Sequence, residues 1–242
     1  RARHVVRERL RGSQRDESDE HDPHGGDVAR DGEHREVLET FRMFAHDQGW
    51  LRRMREAIRR AYQGFGHAAR APLVQLAPGH HLLELFHGPT LAFKDFAMQL
   101  IGQLFQIALA REGQRITIVG ATSGDTGSAA IEAFRGLANV DVFILFPHGR
   151  VSEVQRRQMT TVDAPNVRNL AVRGTFDDCQ DIVKTLFADR AFNDKHHLGA
   201  INSINWARIL SQITYYFAAY FALRKQTDDA DRMQVVVPTG NF

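Results

Sequence analysis

"RITIVGATSGDTGSAAIEAFRG", residues 115–136, decides how the rest of the chain is read. It begins as a β-branched apolar run, passes through a glycine-bearing turn and continues as a helix. Gly124 and Gly127 permit close backbone approach, and Ser123, Thr126 and Ser128 set hydroxyls beside helix-start amides. Such a turn is a ready anion site. It lacks the lysine of a P-loop and the spacing of a dinucleotide fingerprint. Ordinary capping by Ser, Asp and Thr, with Asp125 as a helix N-cap, accounts for the same residues. The segment alone leaves both readings open.

The pattern repeats outward from this unit. On the C-terminal side, "VDVFILFP" is a continuous apolar run, as expected of a strand covered on both faces. "SEVQRRQMTT" reads as a helix, "VRNLAVRG" as a strand, "TFDDCQDIVKTLFAD" as a helix and "GAIN" as a strand. "SINWARILSQITYYFAAYFALRK" follows as a helix, and "MQVVVPTGNF" as a last strand entering a turn. On the N-terminal side, "KDFAMQLIGQLFQIALAREG" is a helix with Phe96, Leu100, Leu104 and Ala108 on one face and Gly113 as its stop. "HLLELF" reads as a short strand before it. Alternating strands and helices predict an α/β fold with a mainly parallel sheet flanked by helices. Ligands of such sheets sit beyond the carboxyl ends of the strands.

Residues 36–63 carry apolar positions at three- and four-residue steps and read as a helix with an arginine-rich face. Glutamate and aspartate interrupt that face, which favours a solvated surface over a phosphate-backbone contact. About half of the first 35 residues are charged, with His4, His21, His24 and His34 scattered among them in no metal-ligand spacing. The expectation there is a disordered or foreign leader.

Composition narrows the function classes. The 242 residues are 43% hydrophobic, enough for a sizeable core, and a net charge of +2 gives no strong nucleic-acid footprint. The single cysteine, Cys179, excludes an intrachain disulfide and a Cys-rich zinc site. It suits a reducing, cytoplasmic setting. The strongly apolar run "ITYYFAAYFAL" is too short to span a bilayer, and no signal-peptide core follows the N-terminus. The chain opens on Arg1 and closes within "VVVPTGNF", so the expectation is a piece of a longer protein.

Four strand ends carry unusual chemistry and are expected at one rim: "HGPTLAFKD", "ATSGDTGSA", "NSINWAR" and "PTGNF". In the first, Lys94 stands at a helix start, where the macrodipole disfavours a cation. Position alone favours a lysine pointing into water. In the third, Asn202 and Ser203 precede a helix, and Arg208 follows with a fork of donors suited to phosphate. A cap and a surface arginine would explain them as well. In the fourth, Gly240 and Asn241 stand in a turn after a strand. His87, His148 and His197 are candidate bases, but no Ser–His–Asp arrangement is evident.

Taken together, "FHGPTLAFKDF", "SGDTGSAA", "NSINWARI" and the opening of a "PTGNFG"-like loop resemble the threonine synthases. These are pyridoxal-phosphate enzymes of the tryptophan-synthase-like fold, fold type II. The likeness runs from about residue 72 to the end. It implies pyridoxal 5'-phosphate as cofactor and O-phospho-L-homoserine as the small-molecule substrate, converted with water to L-threonine and phosphate. It implies Lys94 as the catalytic lysine that condenses with the cofactor aldehyde. Asp125, Gly240 and Asn241 would also meet the cofactor. Ser123 and Thr126 would hold the substrate carboxylate, and Asn202, Ser203 and Arg208 the substrate phosphate. Asp125 departs from another branch of the fold, which has asparagine there. Residues 36–242 would then be an incomplete catalytic domain, with about 115–195 as a smaller mobile lobe. A serine/threonine dehydratase, a cysteine synthase, or a non-catalytic ligand-binding relative is the alternative. No nucleic acid or membrane partner is expected, and the oligomeric state is not legible.

Overall fold

The computed structural model describes residues 49–200, 206–226 and 233–237. The expected leader and the first half of the arginine-rich helix lie outside them. Helix α1 (Trp50–Tyr62) turns Ala57 and Ala61 inward and leaves Arg52, Arg55, Arg59 and Arg60 in solvent. There Glu56 pairs with Arg59 and Arg60 at 2.8 Å each. Strands β1 (Leu73–Ala77) and β2 (His80–Leu83) form an antiparallel hairpin. Pro78 and Gly79 join them, with Gly79 at φ +72°. A two-residue link can only join antiparallel neighbours.

Helix α2 (Lys94–Glu112) ends where Gly113 takes the left-handed conformation and donates its N–H to Leu109 O. Its core face differs from the expected one. Ala97, Met98, Ile101 and Leu109 enter the main core, whereas Phe96 packs with Phe65 and Tyr215 in a separate aromatic cluster. The helix is covered on two sides near its start, so one stripe does not describe it.

The parallel sheet is built from β3 (Ile116–Ala121), β4 (Val140–Pro147), β5 (Val167–Val172) and β6 (Leu198–Ala200), in the order β5-β4-β3-β6. Helices α3 (Asp125–Phe134), α4 (Glu153–Thr160), α5 (Phe176–Ala188), α6 (Arg190–His196) and α7 (Trp206–Arg224) complete the fold. The period-two alternation of β4 splits its side chains between two cores. Val142, Ile144 and Phe146 pack with α2, α3 and Met159 of α4. Leu145 and Phe143 pack with Cys179, Val183 and Leu186 of α5. The sheet is thus covered on both faces, as its apolar runs require. Cys179 is fully buried.

Two expectations are corrected. Residues 233–237 make no strand pairing among the described residues, and Val236 is 87% exposed. No neighbouring strand edge engages their apolar run. The loop "HGPTLAFKD" leaves the β1–β2 hairpin, not a strand of the parallel sheet, because the residues before it pair antiparallel.

Candidate active site

Lys94 is the first residue of α2 and is 4% exposed. Its place is fixed by the residue after it. Asp95 is fully buried, and its two carboxylate oxygens accept from Thr90, one from N at 2.8 Å and one from Oγ1 at 2.6 Å. These bonds draw residues 88–93 down over the helix start. Leu91, in the middle of this turn, is held at φ +61°, a left-handed conformation that costs energy in a residue with a β-carbon. At Gly88 the Asp95 carboxyl fills the space a β-carbon would need. Burial raises the Asp95 carboxyl, and the Thr90 bonds oppose that rise.

The "SGDTG" turn leaves the carboxyl end of β3. Thr122, buried, holds it: its Oγ1 accepts from Gly124 N at 3.0 Å and from Gly127 N at 2.9 Å. Gly124 adopts φ +150°, ψ −90°, which requires glycine. Asp125 is the first residue of α3 and not its N-cap, for Gly124 occupies that position. Capping by Asp125 gives way to capping by Thr122, whose Oγ1 takes the Gly127 amide from within the turn. Ser128 is also turned inward, donating to Gly124 O at 3.3 Å, so it offers no hydroxyl to a ligand. Ser123 is exposed, and Thr126 is half-buried on the first turn of α3.

The two motifs meet. Asp125 Oδ2 lies 3.9 Å from Lys94 Nζ, and the amine sits 4.3 Å from the centre of the Phe93 ring. Burial pushes the Lys94 amine below its ordinary value, Asp125 pulls it back up, and Arg208 pushes it further down. A buried lysine biased toward its neutral form is a nucleophile in waiting.

Residues 66–242 match the family of pyridoxal-phosphate dependent enzymes. The chain belongs to that family. A threonine synthase of Schizosaccharomyces pombe is 55% identical over 197 residues, 78% of this chain and 38% of that one. A threonine synthase of Pseudomonas aeruginosa is 56% identical over 190 residues, 78% of this chain and 39% of that one. Among solved structures, the pyridoxal-phosphate-bound threonine synthase of Brucella melitensis superposes with a TM-score of 0.69 at 56% identity. That match covers 71% of this chain and 37% of the other. The chain therefore spans about two-fifths of the length of the curated relatives it matches.

The residues present fit the family's cofactor. An aldehyde-bearing group needs a reactive amine held away from water, and Lys94 supplies it. Arg208, two residues after the start of α7, is a second buried cation: it is 1% exposed, and its Nε and Nη1 have no hydrogen-bond partner among the described residues. Burial works against the charge of its guanidinium. A buried guanidinium with idle donors is costly unless an anion meets it. The surface reading of Arg208 is thereby corrected. Asn202, Ser203, Gly240 and Asn241 lie outside the described residues.

None of the candidate histidines is among the charged groups acting on the Lys94 amine. His87 Nε2 bonds Glu84 Oε2 at 2.7 Å, His148 is exposed, and His197 ends α6 in the left-handed conformation. Sequence reasoning missed Thr122, Gln155 and Gln158. Gln155, on α4, bonds Asp125, and Gln158 Nε2 donates to Thr90 O at 2.9 Å. Partners 30 and 68 residues away leave no local signal. Among the described residues no helix is long and apolar enough to cross a membrane, and no cluster of ligands could hold a metal ion.

Proposed function

We propose that the protein carries the cofactor lysine and substrate-facing walls of a threonine synthase, which converts O-phospho-L-homoserine and water to L-threonine and phosphate. The observation that carries this reading is the buried Lys94 amine beside Asp125, with the buried guanidinium of Arg208, its Nε and Nη1 without partners among the described residues, acting on it. The identity with threonine synthases at 55% and 56% supports it. When bound, pyridoxal 5'-phosphate supplies an electron sink for the pair released at the substrate's Cα.

The chain's own residues do the rest. Lys94 holds the cofactor through Nζ and moves protons at the substrate's Cα and Cβ. Its burial excludes water from the amine. The Ser123–Thr126 turn meets the substrate carboxylate with hydroxyls and helix-start amides. Arg208, with Asn202 and Ser203, grips the substrate phosphate, which leaves from Cγ before water adds at Cβ. Asp125 faces the cofactor and keeps negative charge beside the amine, and Gly240 and Asn241 begin the cradle for the cofactor phosphate. Residues 115–195 form the smaller, mobile lobe, supported by a parallel sheet that lies within residues 116–200. A cytoplasmic setting accords with the one buried, unpaired cysteine.

The test is an assay of the full-length protein with O-phospho-L-homoserine, threonine and O-acetylserine side by side. Threonine and phosphate forming from the first alone is the expected result. Turnover of threonine or O-acetylserine in preference would assign a sister activity, and cofactor binding without turnover a binding role.

A further inference from the structure

The Asp125 side chain is 46% exposed while the Lys94 side chain is 5% exposed. A carboxylate that half faces water has little reason to stay beside one amine, since exposed ion pairs contribute little. At 3.9 Å the contact is too long to be a hydrogen bond. Something else must hold Asp125 in place.

That restraint comes from α4. Gln155 Nε2 donates to Asp125 Oδ1 at 2.5 Å, leaving Oδ2 for Lys94. The glutamine is itself oriented. Its Oε1 accepts from Ser152 Oγ at 2.8 Å, so its NH2 end must face the carboxylate. Ser152 also caps the helix, accepting from Gln155 N at 3.3 Å. One turn on, Gln158 ties the same helix to Thr90 O, and buried Met159 anchors it in the core. The Gln155 side chain further packs over Gly124, in the space a β-carbon there would take. The amide is thus fixed at both ends on an element that is itself fastened to both walls of the site.

We propose that Gln155 is a positioning residue for the reactive lysine: by binding Asp125 Oδ1 it keeps Oδ2 turned toward Lys94 Nζ and holds a negative charge beside the amine. Its functional meaning rests on Lys94 being the cofactor lysine. The charged groups acting on the amine are Asp125 and Arg208; the neighbouring Asp95 is engaged by Thr90. Without Gln155, Asp125 is free to turn into water, and burial and Arg208 then act on the amine unopposed. The lysine loses its proton more readily.

The experiment reads the amine and not the reaction. Full-length protein, before cofactor loading, is treated with limiting acetic anhydride at mildly alkaline pH. Acetylation of Lys94 is measured by mass spectrometry against Lys184 on α5 in the same molecule. Gln155→Met, which keeps the volume and removes the donor, is expected to speed Lys94 acetylation by about threefold, the scale of one exposed ion pair. Gln155→Ala is expected to do the same should the methionine disturb folding. Asp125→Asn is also expected to speed it, and Gln155→Met on that background to add nothing. An unchanged or slower rate in both Gln155 variants overturns the proposal. So does a Gln155 effect of equal size in the Asp125→Asn background. Because acetylation does not depend on substrate, these outcomes stand apart from failure of the threonine synthase reading.

Discussion

The two walls that meet at Lys94 are built in opposite ways. The lysine wall is made by burial. Asp95, Ala97 and Met98 are 0% exposed, and the turn before them is bound to Asp95 by two short hydrogen bonds. The aspartate wall is made by polar contacts near solvent: Ser123 is exposed, Asp125 is half-buried, and one glutamine from α4 holds the carboxylate. A packed interior is rigid because volume changes are costly there. A hydrogen-bonded rim is adjustable. The fold therefore fixes where the amine is and leaves its charge environment to be set from a neighbouring helix.

Arg208 sharpens this contrast most strongly, since it is buried yet lacks partners for Nε and Nη1 among the described residues. Arg208→Met is expected to lower kcat/KM for O-phospho-L-homoserine by about 100-fold, near ~3 kcal/mol of charge-assisted bonding. Its thermal midpoint is expected to hold or rise, because a charge that burial disfavours has been removed. A large fall in midpoint with unchanged kcat/KM would make Arg208 a structural residue instead.

Asp95 tests the rigid wall. Asp95→Ala leaves Thr90 N and Oγ1 without acceptors and opens a void at the helix start. Unfolding in urea is expected to show a loss of about 2 kcal/mol. A loss within the range of ordinary surface substitutions would mean that the turn over Lys94 stands without Asp95. The Gln155 substitutions, at about threefold on the amine, are the smallest perturbation of the set.

The split between the walls also marks what the sequence revealed. The strands and helices of the parallel sheet are legible because each is set by local periodicity and bounded by glycine or a cap. Gly113 and the Thr175–Asp178 capping box at α5 are examples. Lys94 and Asp125 stand out as charged residues in small-residue turns. Strand β2 is legible in "HLLELF", but its partner β1 is not, because β1 is largely exposed and carries no clean alternation. Pro78–Gly79 was its one signal. Helix α6 has only seven residues, too few for a periodic pattern. The assignment of Asp125 as a cap went astray because Thr122, three residues earlier, does that work, and Gln155 was invisible because its partner is remote in sequence. Local patterns reveal elements; side-chain bonds across elements depend on how the elements pack.

The most direct test of the assignment of Lys94 as the cofactor lysine is chemical. The full-length protein is loaded with pyridoxal 5'-phosphate, reduced with borohydride, digested and mapped. Lys94 is the buried amine next to Asp125, whereas Lys184 on α5 is paired with Asp181 at the surface. The label is expected on Lys94 in a one-to-one ratio with the chain. Label on Lys184 or Lys195, with Lys94 unmodified, would contradict it.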